Sequence, residues 1–166
     1  MSGTESAIEP LVVEFSVAAT AAHAFDTWVR RADVWWPRGH TITGDPATIE
    51  FEPWVDGRIV EHDADGNAYP WGQVVLWDPP HRVDYLWHLM FAPEEATTVS
   101  VTFTESDEST VVRLVQVGWE ALGAQGPIRR ERTIGGWGAV TGHYRRWFDS
   151  PIGDRPMARP DKENTP

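Results

Sequence analysis

The sequence RRERTIGGWGAVTGHYRRWF, residues 129–148, carries an aromatic pattern at helical spacing. Its larger side chains recur at steps of three and four residues, which is the spacing along one face of an α-helix. The residues that follow this spacing are Thr133, Trp137, Val140, Tyr144 and Trp147. The pattern predicts a long helix that needs a large apolar surface to lie on.

The same stretch contains four glycines, Gly135, Gly136, Gly138 and Gly142. Each glycine costs roughly 1 kcal/mol relative to alanine in a helix interior, so we expect tertiary packing to hold this helix. Because glycine has no Cβ, we also expect these positions to let the helix backbone come close to a sheet, or to a ligand held between helix and sheet.

Upstream of this helix, residues 47–118 show the alternation and the turn residues of six strands. The turns are short, which favours an antiparallel meander, because parallel strands would need helical crossovers. A further strand is predicted over residues 11–17, and a short helix with Thr20 as its N-cap follows over residues 18–31. The prediction is an α+β fold in which one sheet face packs against the C-terminal helix and the other faces water.

Alternation also assigns side chains to the two sheet faces. In the strand around residue 85, the set Val83, Tyr85, Trp87 and Leu89 should face the helix, and the set Arg82, Asp84 and His88 should face solvent. The next strand should point Val99, Val101 and Phe103 inward. In the last strand Arg113 belongs outside, which places Val112, Leu114 and Gln116 inside. Gln116 is therefore predicted to be a polar group in the interior.

The chain has 166 residues, of which 41% are hydrophobic, and this is enough for one domain with one core. We expect that domain to span residues 10–149. Residues 1–9 are small and polar, and residues 150–166 are polar and proline-rich, so both tails are predicted to be disordered.

The net charge of −11 disfavours nucleic acid and membrane surfaces as partners, and a neutral or cationic ligand fits it better. The N-terminus shows no signal peptide, and no apolar run is long enough to span a membrane, so a cytoplasmic location is expected. The absence of cysteine excludes disulfides, thiolate metal sites and cysteine nucleophiles.

Ten tryptophans are the unusual feature of the composition. The pair Trp35–Trp36 lies in a segment broken by Pro37 and Gly39, at the end of a short helix or on a loop. Two interpretations remain open at this stage. The pair plugs one end of the core, or it forms a lid over a ligand.

Catalytic and metal motifs are sparse. The run Asp63–Gly66 resembles a calcium loop but lacks its further ligands, so a hairpin turn explains it better. The histidines show no metal-binding spacing, and neither a nucleophile elbow nor a P-loop occurs, so we expect no metal and no cofactor. His40 is the candidate acid or base, since imidazole titrates near neutrality, and a solvent-facing or capping role is its alternative.

Three segments resemble a known family. Residues 52–87 (EPWVDGRIVEHDADGNAYPWGQVVLWDPPHRVDYLW), the pair Gly118–Trp119 and the run GGWGAV at residues 135–140 are similar to the START-like, polyketide-cyclase-like (SRPBCC) superfamily. Within it they resemble the branch named after the activator of the ninety-kilodalton heat-shock-protein ATPase. The resemblance, over residues 11–148, implies a helix-grip fold: a curved antiparallel sheet around a long C-terminal helix, with two short helices after the first strand and a cavity between. Many relatives carry histidine where this chain has Gln116.

The resemblance implies four functions. The first hypothesis is non-enzymatic binding of a mid-sized hydrophobic or aromatic molecule in the cavity. The others are activation of a chaperone ATPase, self-sacrifice resistance to an enediyne antibiotic through cleavage at Gly118, Gly135, Gly136 or Gly138, and a cyclase-type reaction with His40. An open cavity on the order of several hundred cubic ångströms favours ligand binding or the cyclase, and a filled interior favours the chaperone. The predicted ligand-binding residues are Trp35, Trp36, His40, Trp54, Tyr85, Trp87, Gln116, Trp119, Trp137 and Tyr144.

Overall fold

The computed structural model describes residues 8–89 and 91–149. Most of the two predicted tails lies outside these ranges. Ile8 and Glu9, which the sequence assigned to the N-terminal tail, make defined contacts. The Ile8 N–H donates to Glu120 Oε2 at 2.7 Å, and Arg130 Nε donates to the Glu9 carbonyl oxygen at 2.7 Å.

The described residues form seven strands and three α-helices. The strands are β1 (Leu11–Val17), β2 (Thr48–Phe51), β3 (Arg58–His62), β4 (Ala68–Asp78), β5 (Arg82–Trp87), β6 (Thr97–Ser106) and β7 (Ser109–Val117). The helices are α1 (Ala21–Arg30), α2 (Ala32–Trp35) and α3 (Gln125–Asp149). Short 3-10 turns occupy Arg38–His40, Pro93–Glu95 and Trp119–Leu122. None of the helices in these ranges is long and apolar enough to cross a membrane.

The strands form one antiparallel sheet in the order β1-β7-β6-β5-β4-β3-β2. The predicted meander is β2 to β7, and β1 joins it by pairing with β7, while α1 and α2 lead the chain across to β2 at the opposite edge. Register shifts at Ile59/Val60 and Val74/Leu76 mark bulges, which bend the strands that carry them. The sheet curls around α3, and the predicted helix-grip α+β fold is confirmed.

The predicted sheet faces are also confirmed. Val83, Tyr85, Val101 and Leu114 are fully buried, and Gln116 is an interior polar group. Arg113 is exposed on the outer face. His88, predicted to face solvent, is the exception, since it is partly buried; Leu89, beyond the end of β5 with a φ of 41°, is partly buried as well.

Helix α3 buries Trp137, Val140 and Tyr144, as its spacing predicts. The prediction is wrong at Trp147, which is only partly buried and lies beside the Arg31 guanidinium at 6.0 Å from its ring centroid. Phe148 occupies the core instead. An α-helix has 3.6 residues per turn, so the next residue on the buried side can be three or four positions along. After Tyr144 it is the fourth, Phe148.

Of the two alternatives for the helix glycines, close approach to the sheet is wrong at Gly135, Gly136 and Gly138, while Gly136 does border the space between helix and sheet. A Cβ at Gly135, Gly136 or Gly138 would have no other atom within 4 Å. The bulky ring of Trp137 keeps the helix backbone away from the sheet at this level. Glycine is required elsewhere: a Cβ at Gly72 would clash with the Leu86 carbonyl oxygen of the paired strand β5.

The first helix begins where the sequence predicts. Thr20 Oγ1 accepts a hydrogen bond from the His23 N–H at 3.1 Å, which makes Thr20 the N-cap. The buried face of α1 presents Phe25 and Trp28 to the interior, where the Trp28 ring lies 5.0 Å from that of Tyr144 on α3. Helix α1 thus closes one end of the space between sheet and α3.

The calcium-like run is a hairpin turn between β3 and β4. Asp63 Oδ1 accepts the backbone N–H groups of Asp65 and Asn67, each at 2.9 Å. The hydrogen bond from the Asn67 side chain is the main cause that lowers the pKa of Asp63. The carboxylate of this turn is used to hold the loop shape.

Candidate functional site

A cavity of about 150 Å³ lies between α3 and the inner face of the sheet. The exposed side chain of Phe91 lies at its mouth. Four tryptophans line it, Trp36, Trp87, Trp119 and Trp137. The polar lining residues are His40, His88, Glu95, Thr97, Gln116, Arg129 and Thr133. The apolar or small ones are Leu89, Phe91, Leu122, Gly136 and Val140. The cavity predicted between sheet and helix is therefore present.

Tryptophan rings form its inner wall. The Trp87 and Trp137 rings are stacked, with centroids 5.6 Å apart and planes at 29°. Trp36 meets both rings at 5.8 and 6.1 Å. Their indole N–H groups are largely used within the protein, since Trp36 Nε1 donates to the His40 carbonyl oxygen at 3.0 Å and Trp119 Nε1 to the Gln116 carbonyl oxygen at 3.0 Å. Such a wall presents mainly ring faces and edges to a ligand.

The Gln116 amide sits at the base of the cavity and is bound at both ends. Its Oε1 accepts from Trp137 Nε1 at 2.6 Å, and its Nε2 donates to Thr97 Oγ1 at 2.6 Å. These two bonds fix which way the amide faces, because indole can only donate. Gln116 therefore orients a wall residue.

A buried carboxylate holds the loop that carries Trp36 and His40. Glu61 on β3 is fully buried and accepts the Ile42 N–H at 2.8 Å and the Thr43 N–H at 2.9 Å. It also accepts from Trp71 Nε1 at 3.0 Å, and the Trp71 ring packs 5.0 Å from that of Trp36. The loop is thereby held to the sheet by the hydrogen bonds of Glu61 and by the packing of Trp36 against Trp71.

Two histidines reach the cavity. His88 Nδ1 lies 3.0 Å from the Phe91 carbonyl oxygen, so this nitrogen is assigned the proton and donates it. In neutral imidazole the other nitrogen, Nε2, is then an acceptor. His40 also lines the cavity, and it belongs to the 3-10 turn Arg38–His40.

The mouth carries one cation. Arg129, on the first turns of α3, donates from a terminal guanidinium nitrogen to Glu95 Oε1 at 3.0 Å. Its guanidinium carbon lies 3.5 Å from the centroid of the Phe91 ring. The side chain of Arg129 is 15% exposed and that of Glu95 44% exposed, so the carboxylate is on the solvent side of the pair.

The cavity brings together part of the predicted ligand-binding set: Trp36, His40, Trp87, Gln116, Trp119 and Trp137. The other four predicted residues do not line it. Trp54 is 55% exposed on the turn after β2, because that turn lies outside the curl of the sheet. Trp35 is in the core, where its Nε1 donates to the Thr27 carbonyl oxygen at 2.7 Å.

Tyr85 and Tyr144 are the remaining two, and both are fully buried core residues. Tyr144 Oη donates to the Ala24 carbonyl oxygen at 2.6 Å, and Tyr85 Oη accepts from Trp28 Nε1 at 3.4 Å. Helix α1 fills the space that these rings would otherwise border. The pair Trp35–Trp36 therefore divides: Trp35 plugs the core and Trp36 also borders the cavity.

Sequence analysis missed the residues of the mouth. Arg129 lies two turns before Trp137 at helical spacing, so the same stripe extended backwards would have included it. Thr97 is the cross-strand partner of Trp87, a signal available once the register is known. His88 was predicted to face solvent, but alternation ends with β5 at Trp87 and the chain turns inward at Leu89. No sequence signal locates Phe91.

Metal binding has no support in this geometry. Within residues 8–89 and 91–149, no group of three or more histidine, aspartate or glutamate side chains is placed to hold a metal ion. The site is therefore described by its aromatic walls and its polar groups.

The curled sheet, the enclosed C-terminal helix and the cavity between them define a START-like, SRPBCC-type protein. The family model described as "Activator of Hsp90 ATPase homolog 1-like protein" matches residues 18–143, and the chain belongs to this family. No curated protein matches the chain in sequence.

Solved structures show the same fold. The protein MLL2253 from Mesorhizobium loti is 17% identical, with a TM-score of 0.64 over 85% of this chain and 97% of that chain. CalC from Micromonospora echinospora, a self-sacrificing resistance protein, is 21% identical, with a TM-score of 0.61 over 84% and 94%. The anthrahydroquino-gamma-pyrone synthase Txn09 is 32% identical, with a TM-score of 0.54 over 75% and 86%.

Proposed function

We propose that the protein binds a planar aromatic small molecule, with one ring inserted into the cavity against the tryptophan wall. The observation that carries this proposal is the tryptophan wall. The indole N–H groups of Trp36, Trp119 and Trp137 donate to acceptors within the protein, so their rings are what a ligand would contact. Aromatic ligands gain from offset or edge-to-face contacts with such rings beyond simple burial.

The cavity size limits how the ligand sits. Whole drug-sized ligands occupy pockets of roughly 300–1,000 Å³, and this cavity has about 150 Å³. A cavity of about this size takes a benzene-sized ring. A molecule with several fused rings would insert one end and extend past Phe91 into the mouth.

The family relationship supports an aromatic ligand. The synthase Txn09 is 32% identical, and its description names a polycyclic aromatic product class. This likeness is a reason to begin a ligand search with fused-ring quinones and pyrones. It adds to the cavity geometry, which favours flat rings.

The test fills the cavity without disturbing the fold. A Cβ at Gly136 has no other atom within 4 Å, and Gly136 lines the cavity, so Gly136→Leu should place its side chain in the ligand space. Gly138→Leu is the matched control, since Gly138 is exposed on the same helix and a Cβ there also meets nothing. Both changes favour the helix.

Binding would be followed by tryptophan fluorescence and calorimetry with a panel of fused-ring quinones, pyrones and naphthalene derivatives. The proposal expects saturable binding that Gly136→Leu abolishes and Gly138→Leu preserves. Equal binding by both variants, or no binding by the wild-type protein across the panel, would overturn it.

A cyclase-type reaction is the second candidate, because two imidazoles, those of His40 and His88, line the cavity. His88 has its Nδ1 proton bound by the Phe91 carbonyl oxygen, which leaves Nε2 as a base, and His40 is the second candidate. Loss of a general base typically lowers turnover about 10²-fold or more. His88→Gln and His40→Gln, assayed with polyketide-like substrates, distinguish catalysis from binding alone; unchanged turnover in both would exclude either histidine as the base.

The two other hypotheses remain predictions. Stimulation of a chaperone ATPase would be measured by pull-down and ATPase assay, and unchanged turnover would remove it. For enediyne cleavage, only Gly136 of the four predicted glycines lines the cavity. Mass spectrometry after exposure to an activated enediyne should therefore show fragments ending at Gly136, and an intact chain would exclude this function.

A further inference from the structure

We propose that Arg129 makes this cavity selective for aromatic acids, by binding a carboxylate or phenolate oxygen of the inserted ligand. This inference rests on the proposed aromatic binding and adds the charge of the ligand. It departs from the neutral or cationic ligand that the net charge of −11 suggests.

The first step is the position of the charge. Among the described residues that line the cavity, Arg129 is the single lysine or arginine. Its side chain is 15% exposed, whereas its partner Glu95 is 44% exposed. A ligand that enters beside Phe91 therefore meets the cation on the cavity side and leaves the carboxylate on the solvent side.

The second step is the hydrogen-bonding capacity of the guanidinium. This group has five N–H donors in a planar fork, which suits the two oxygens of a carboxylate. Within the described residues, Glu95 takes one donor at 3.0 Å. The remaining donors are available to a ligand.

The third step is orientation. The Phe91 ring lies 3.5 Å from the guanidinium carbon, so the guanidinium is held against an aromatic face as well as by Glu95. A group fixed on two sides loses little freedom when it binds a ligand. Glu95 is 44% exposed, so water screens its side of the ion pair and weakens its competition with a ligand anion.

The fourth step is the neighbouring wall. Thr133 and Trp137 lie one and two turns after Arg129 along α3 and line the same cavity. An aromatic ring against the tryptophans therefore has its acidic substituent within the reach of a guanidinium on the same helix. Charge-assisted hydrogen bonds of this kind are about twice as strong as neutral ones.

The experiment compares naphthoate with naphthamide, an uncharged molecule of nearly the same shape, by isothermal titration calorimetry. Arg129→Gln should weaken naphthoate binding by about tenfold or more, which is the usual cost of one hydrogen bond to a charged group. It should change naphthamide binding by no more than about twofold, since the ring contacts remain. Arg132→Gln, an exposed position on the same helix, controls for net charge and should change neither.

A second variant should change naphthoate affinity in the opposite direction. Glu95→Gln removes the competing carboxylate and should strengthen naphthoate binding while leaving naphthamide unchanged. If naphthoate and naphthamide bind the wild-type protein equally and respond equally to Arg129→Gln, the charge selectivity is overturned and the proposed aromatic binding stands. If neither compound binds, both proposals are overturned.

Discussion

Trp137 Nε1 lies 2.6 Å from Gln116 Oε1, and this hydrogen bond joins α3 to β7 at the base of the cavity. Both partners are at least 97% buried, so the bond is out of reach of water. It fixes the indole that forms the inner wall, because the amide is itself held by Thr97.

Replacing this amide should therefore destabilise the protein. Gln116→Met keeps the approximate shape but leaves the Trp137 N–H without its acceptor, whereas the Thr97 hydroxyl still donates to the Trp87 carbonyl oxygen at 3.4 Å. Each buried unsatisfied polar group costs about 1–3 kcal/mol. We expect a loss of that size in the free energy of unfolding measured with urea. Gln73→Met, an exposed glutamine on β4, is the control, and a matching small effect in both variants would contradict the structural role.

The buried carboxylate of Glu61 gives a second prediction. The Ile42 N–H binds Glu61 Oε1 and the Thr43 N–H binds Oε2, so a glutamine here would turn its NH₂ group toward one of these two donors. Glu61→Gln should cost about 3 kcal/mol or more and release the loop after His40. Limited proteolysis would show new cleavage near residues 41–45. Glu50→Gln, exposed on β2, should leave the loop protected.

Alanine substitutions at two glycines should have opposite signs. Gly135→Ala places a methyl group in open space within a helix and should stabilise the protein by about 0.5–1 kcal/mol. Gly72→Ala forces a methyl group against the Leu86 carbonyl oxygen and should prevent normal β4–β5 pairing. Thermal unfolding of both variants is the measurement. Equal melting temperatures would show that the strand spacing is more yielding than the structure indicates.

Stability should fall at alkaline pH. Burial raises the pKa of Tyr85 and of Tyr144 above the ordinary value of 10. In the unfolded chain both hydroxyls ionise near pH 10, so the folded state binds more protons above that pH. Below pH 10 the free energy of unfolding is unaffected by these two groups. As pH rises from 10 toward the raised pKa of the folded state, it falls by about 1.4 kcal/mol per pH unit for each group.

The check is tyrosinate absorbance followed together with circular dichroism. The third tyrosine, Tyr69, is removed with Tyr69→Phe, so that every tyrosinate that forms comes from a buried ring. Ionisation should then coincide with unfolding. Ionisation well before the loss of structure would show that the two rings are accessible in the folded protein.

The fold was readable because alternation and helical spacing report burial directly. The alternation of one strand places Arg113 outside and Gln116 inside. The spacing of Trp137 and Tyr144 gives the buried side of α3. The site was readable only in part. A tryptophan such as Trp35 gives the same pattern whether α1 covers it or a cavity adjoins it.

The mouth could not be predicted because it depends on three segments that are distant in sequence. Arg129 belongs to α3, while Phe91 and Glu95 belong to the irregular connection between β5 and β6. Irregular segments have no period that would reveal which side chain points inward. The net charge of the whole chain also gives no indication that Arg129 lines the cavity.

The pairing of β1 with β7 has a consequence for the order in which the protein matures. Leu11 pairs with Gln116, so β1 must wait for β7, the last of the described strands, before it has a neighbouring strand. Contacts between such distant parts of a chain form slowly, since the intervening loop must close first. Gln116, the β7 member of that pair, lines the cavity, and so do several residues of α3. A nascent or truncated chain that ends before β7 would therefore lack both the base of the cavity and the helix that encloses it.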